Sequence, residues 1–151
     1  MVRWLLASVV VLAATPTASA AVPNICSAVP DSLITAVLGG RIVSRSSVGD
    51  PAERRCIWNG KIDGPAGAHP QVAIIAGAGS TEAQARLSAV QQGLHRIKGV
   101  NANAYGGSNS SEGGWVTFWH RGVEVEVNVG GDVPAPLAKA KRIANAVLSR
   151  L

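Results

Sequence analysis

The 151-residue chain has little of what most functional sites are made from. It carries two cysteines, one methionine, one tyrosine and one phenylalanine, and only 15% of its residues are charged. Its three histidines, His69, His95 and His120, stand far apart and lack metal-ligand spacing, so no zinc or copper centre is indicated. A Gly-x-Ser-x-Gly turn is missing, and with both cysteines expected to be bonded there is no free thiol nucleophile. No apolar run after residue 20 approaches the roughly 20 residues that span a bilayer. The net charge of +5 comes from scattered basic residues, which is the pattern of a solvated surface rather than a nucleic-acid groove. Together these absences point away from an enzyme, a cofactor, a nucleic-acid partner and stable membrane insertion of the mature chain.

What is present begins with an export signal. Met1-Val2-Arg3 gives a short positive start, Trp4 to Ala14 is an apolar and small-residue core, and Thr15-Pro16-Thr17 breaks it. Ala18-Ser19-Ala20 matches the small-x-small pattern of a cleavage site. Residues 1–20 are therefore expected to be a signal peptide, and residues 21–151 a single secreted or cell-wall-associated α+β domain. Retention of the segment as an anchor is the alternative. Export places Cys26 and Cys56 where disulfides persist, and they are expected to bond to each other. Val22-Pro23-Asn24-Ile25 lacks the pattern of a lipobox, so lipid modification of Cys26 is not expected.

Along the chain, Leu33 to Leu38 has helical spacing and stops at Gly39-Gly40. Arg41 to Val48 and Arg54 to Trp58 read as strands, with Asn59-Gly60 as a turn signal and a loop-like stretch on to Pro70. Gln71 to Ala76 is a buried strand. Thr81-Glu82-Ala83-Gln84 has the form of a capping box, and Leu87, Val90, Leu94 and Ile97 are expected to form the buried face of the helix behind it. A weak strand at residues 102–105 leads into residues 106–114, a polar Gly/Ser/Asn loop expected to be mobile.

Two alternating runs, Trp115 to His120 and Val123 to Val129, are joined at Arg121-Gly122 and predict a hairpin pairing Phe118 with Val125 and Val116 with Val127. One face is valine-rich; the other carries Trp115, Thr117, Trp119, Glu124, Glu126 and Asn128. A last helix after Pro136 keeps Leu137, Ala140, Ala144, Val147, Leu148 and Leu151 on one stripe, expected to dock on the valine face. The predicted fold is an antiparallel sheet with helices packed on one face and one disulfide. The order of elements also allows two α-β-β-β halves, although no sequence repeat supports them.

Glu124 and Glu126 project from one side of one strand, roughly 7 Å apart along it, a separation compatible with shared acid and base work. Alternating Val-Glu-Val-Glu is equally the mark of a strand with one wet face. Trp115 and Trp119 on that face ask for a contact surface or a covering element. Val72 to Gly79 before a helix has the outline of a dinucleotide turn, but the third glycine is absent and Glu82 stands where a phosphate would lie. Asn109-Ser110-Ser111 matches a glycosylation sequon of low information content.

Cys26-Ser27, the helix ending Leu38-Gly39-Gly40, and Cys56-Ile57-Trp58 resemble an actinobacterial family of small exported proteins and lipoproteins known as a domain of unknown function. The likeness covers Cys26 to Trp58. It implies a Cys26–Cys56 bond with Trp58 near it, and it implies no catalysis. The resulting expectation is a non-enzymatic binding or interaction module of the cell envelope, with Trp115, Trp119, Glu124 and Glu126 facing an unidentified protein or cell-wall ligand. A glycan-acting enzyme using the two glutamates is the alternative. A structural or inhibitory protein inserting loop 106–114 into a partner is a third reading.

Overall fold

Asp31–Leu38 folds as α1 because Ile34, Val37 and Leu38 fall on one buried side and Gly39, at φ 72°, ends the helix with its N–H on the Thr35 carbonyl. The structure is a computed structural model in which residues 21–63, 69–101 and 103–151 are described. The expected signal segment 1–20 lies outside the described residues, as do residue 102 of the expected weak strand and part of the loop before Pro70.

After α1 come β1 (Arg41–Gly49), β2 (Glu53–Lys61) and β3 (Gln71–Ala78), an antiparallel meander. The hairpin between β1 and β2 is closed by Asp50, whose carboxylate accepts the N–H groups of Ala52 at 2.7 Å and Glu53 at 3.0 Å. The turn expected at Asn59-Gly60 does not form. Asn59 instead bonds across the sheet, donating to the Ser44 hydroxyl and accepting from Gln71, both at 2.8 Å. Gly60 stays in the strand, its N–H donated to the Pro70 carbonyl at 2.7 Å, at a place where a Cβ would press on the side chains of Leu38 and Pro70.

The second half opens with α2 (Glu82–Gln91), where the Thr81/Gln84 capping box forms as expected. It continues with a short β4 (His95–Arg96), then β5 (Tyr105–Asn109), β6 (Gly113–His120), β7 (Val123–Gly130) and α3 (Pro136–Leu148). The β6–β7 register is the predicted one, and both turn residues have positive φ, 48° at Arg121 and 85° at Gly122, as a two-residue type I′ hairpin requires.

Residues 106–114 are not the mobile loop that their composition predicts. They belong to the β5–β6 hairpin, leaving only a tight turn organised by Asn109, whose side-chain oxygen accepts the N–H groups of Ser111 and Glu112. The glycines there make room rather than slack. A Cβ on Gly114 would collide with the backbone of Pro136 and Leu137, and one on Gly106 with the Trp115 carbonyl and the side chains of Ile97 and Leu137.

The seven strands form one antiparallel sheet in the order β1-β2-β3-β7-β6-β5-β4, so the last strands of the two halves meet at its centre. One face supplies Cys56, Trp58, Val72, Ile74, Val116, Phe118, Val125 and Val127 to the core, each at most 1% exposed. α1 and the Ala140, Ile143, Ala144 and Val147 stripe of α3 cover it. Cys26 and Cys56 are bonded, with Cα atoms 5.6 Å apart. Trp58 lies two residues on from Cys56 on the same face, with the Arg45 guanidinium 5.5 Å from its ring centre.

The α+β fold is thus the expected one, with α2 departing from the expected side. It rests on the opposite face, over β5 and β6. Its buried side is also different, since Ala85 and Ala89 are covered while Leu87 and Val90 are 59% and 54% exposed. The reason is steric. Where α2 meets the sheet, the small Ala85 borders Thr117 and the bulky Trp119, which brings the alanine side of the helix to the sheet, and Leu94 packs beyond the helix end, beside Gly107.

Candidate functional site

Strand pairing fixes which side chains share the outer face. One row across the sheet runs Arg55, Ile75, Glu126, Thr117, Tyr105, Arg96; the next runs Glu53, Gly77, Glu124, Trp119. Trp115 lies in a third row, opposite Asn128. The four residues expected at the site therefore do lie on one face, with Glu124 directly opposite Trp119 and Glu126 diagonal to both tryptophans.

The tryptophans are not an open platform. Both are half-buried, and Trp119 spends its polar edge inside the protein by donating its indole N–H to the Ser80 carbonyl at 2.9 Å. Ser80 also donates its hydroxyl to Glu124 Oε2 at 2.8 Å. The residue that leads into α2 thus fixes an aromatic and a carboxylate together.

What lies open is an acidic trough of about 570 Å³ beside them, between the β1–β2 turn and the β3–α2 connection. Asp50, Glu53, Glu124 and Glu126 line it, along with Ser80. Its floor exists because Gly77, between Glu53 and Glu124 in the row, has no side chain, and a Cβ added there would meet nothing within 4 Å. Four of the nine acidic residues of a basic chain are gathered at this one place. Arg54 and Arg55 are nearby counter-charges, the first acting on Asp50 and the second 3.7 Å from Glu53 in an exposed pair of little energetic weight.

The carboxylates differ in character. Burial pushes the pKa of Glu126 up, and the neighbouring Glu124 pushes it the same way, with Arg55 opposing. Asp50 is held below the usual carboxylate range, first by the Ala52 N–H and then by that of Glu53. The trough therefore combines a carboxylate whose pKa is lowered with one whose pKa is raised.

Asp50, Glu53 and Ser80 were not among the residues expected at the site. They come from the first half of the chain and reach Glu124 only through the β2–β3–β7 register, which no local pattern encodes. Among the described residues no cluster of three His, Cys, Asp or Glu side chains is arranged to hold a metal ion, and no helix is long and apolar enough to cross a membrane. In comparisons with known proteins, no family model, curated protein or solved structure matches this chain.

Proposed function

We propose that this chain is a non-enzymatic binding module of the cell envelope whose acidic trough receives a cationic ligand: lysine or arginine side chains of a partner protein, or amino groups of an envelope polymer. The observation that carries the reading is the convergence of Asp50, Glu53, Glu124 and Glu126 on a single open trough in a chain of opposite net charge. Carboxylates so concentrated repel one another, and a cation relieves that repulsion. The same field disfavours nucleic acid, whose phosphates would meet like charge. The Cys26–Cys56 bond supports an extracytoplasmic address, in keeping with the export signal expected at residues 1–20.

Titration calorimetry with a lysine-rich peptide tests this, comparing the wild type with Glu124→Gln/Glu126→Gln at low and high salt. Binding should weaken with salt and by roughly tenfold or more in the double variant, as expected when two partly desolvated charge contacts are lost. Equal affinity in both proteins would remove the trough from consideration.

A second reading rests on the raised pKa of Glu126. A carboxyl with a raised pKa beside Glu124, itself anchored by Ser80, has the outline of an acid and base pair acting on a glycan. Incubation with envelope polysaccharides decides it. Release of reducing ends by the wild type and none by Glu126→Gln would replace binding with catalysis.

A further inference from the structure

The outer face continues past the trough along β7. Glu126 borders the trough and also a second opening, whose other lining residues are Gln92, Glu112, Trp115 and Asn128. The fold uses some of these side chains and leaves others idle. Gln92 donates to the Ser88 hydroxyl at 3.1 Å, and Glu112 accepts from Asn109 at 2.9 Å. Trp115, Glu126 and Asn128 are different. All three are half-buried, yet none of their polar side-chain groups has a hydrogen-bond partner among the described residues, and Glu126 feels only the charges of Glu124 and Arg55. Trp119 shows the contrast. Its indole N–H is spent on Ser80, whereas that of Trp115 sits beside Gly107, which has no side chain to meet it.

Strand pairing brings the three idle groups together. Trp115 stands directly opposite Asn128, and Glu126 lies two residues away on the same face of β7. Directly opposed side chains are about 5 Å apart and alternate ones about 7 Å, so a single ligand unit can meet all three.

We infer that this opening seats a hexosamine with a free amino group, one unit of a glycan whose next unit lies in the trough. The inference narrows the cationic-ligand reading given above and rests on it. An indole packs against the apolar side of a sugar ring, an amide donates to one hydroxyl and accepts from another, and a carboxylate takes the ammonium. A lysine side chain satisfies less of the site. Its ammonium only donates, so it has nothing to accept the Trp115 N–H, whereas a sugar hydroxyl does both. Because Glu126 borders both openings, neighbouring amino sugars of one chain can occupy them together.

Calorimetry on the intact mature protein tests this with a glucosamine tetramer, its fully N-acetylated counterpart and tetralysine. The wild type should bind the glucosamine tetramer about tenfold or more tighter than the acetylated one, since acetylation removes the charge that faces Glu126. Trp115→Ala should reduce the preference for the glucosamine tetramer over tetralysine by about tenfold, the scale of one aromatic contact. Asn128→Ala, which leaves every aromatic in place, should reduce it in the same direction and decides alone if the tryptophan variant does not fold. Equal affinity for the amino and acetylated tetramers, or a preference that neither substitution moves, would overturn the inference. Binding of tetralysine without the glucosamine tetramer would end it and leave the trough as a cation site; binding of neither would end both.

Discussion

The indole N–H of Trp119 on β6 lies 2.9 Å from the carbonyl oxygen of Ser80, thirty-nine residues earlier, and so fastens the start of α2 to the sheet. Replacing Trp119 with phenylalanine keeps a ring in place and removes this bond. Stability should fall by about 1 kcal/mol, in the range of a single net hydrogen bond, plus a packing loss for the smaller ring. Amide exchange should speed up across Glu82–Gln91 more than across α3, whose contacts lie on the other face.

Gly77 holds the trough open at a cost. Glycine within a strand is less stable than a residue with a side chain, by roughly 0.5–1 kcal/mol relative to alanine, and the space above Gly77 is empty. Gly77→Val should therefore raise the thermal midpoint while abolishing binding of the lysine-rich peptide. A variant that is more stable and still binds would show that the ligand sits elsewhere.

The raised pKa of Glu126 has a definite sign in stability. The folded protein holds this proton more tightly than the unfolded chain, so stability falls as pH rises from the ordinary carboxylate value through the raised one. Glu126→Gln should be more stable than the wild type at neutral pH, and the difference should vanish once the solution is acid enough to protonate Glu126 in both states. Asp50 acts oppositely: its contribution is complete above the ordinary value and is lost as pH falls through its lowered one. Urea titrations of both proteins over a pH series will separate the two.

Gly114→Ala should be among the most damaging single changes, because the new methyl would occupy the backbone of Pro136 and Leu137 at the start of α3. Overpacking against backbone costs about 3 kcal/mol or more. The denaturation midpoint should drop sharply, whereas Gly93→Ala, in open space at positive φ, should cost only about 1 kcal/mol.

Opening the Cys26–Cys56 bond removes a cross-link over a sequence separation of 30. Chain-entropy reasoning gives a loss of about 3 to 4 kcal/mol for a loop of that size. Cys26→Ala/Cys56→Ala should unfold at much lower denaturant, as should the wild type under reductant.

The elements with one dominant periodicity were readable without coordinates. The Val116–Val129 hairpin, the α3 stripe and the capping box at Thr81 all stand where alternation, helical spacing and cap chemistry put them. Residues 106–114 misled because glycine and serine have two uses, flexibility and close approach, and only the position of α3 distinguishes them. The buried side of α2 misled for a related reason. Leu87 and Val90 are the more apolar residues, but the side of the helix turned to the sheet near Trp119 is that of Ala85 and Ala89. The sheet residues Trp115, Trp119, Glu124 and Glu126 were identifiable from strand alternation, while Asp50, Glu53 and Ser80 join them only through pairings distant in the chain.

The meeting of β3 with β7 at the centre of the sheet also has a kinetic meaning. Each meander can form from neighbouring strands, but the ladder that unites them joins Ala78 to Val123 and Gln71 to Gly130, and must wait for the final hairpin. Contacts of such long range slow the search for the native state. Until that zipper closes, the inner edge of β3 is an unpaired template for other chains. The hazard of self-association should therefore be greatest in the chain whose β7 has not yet docked, and it ends when Gly130 completes the ladder opposite Gln71.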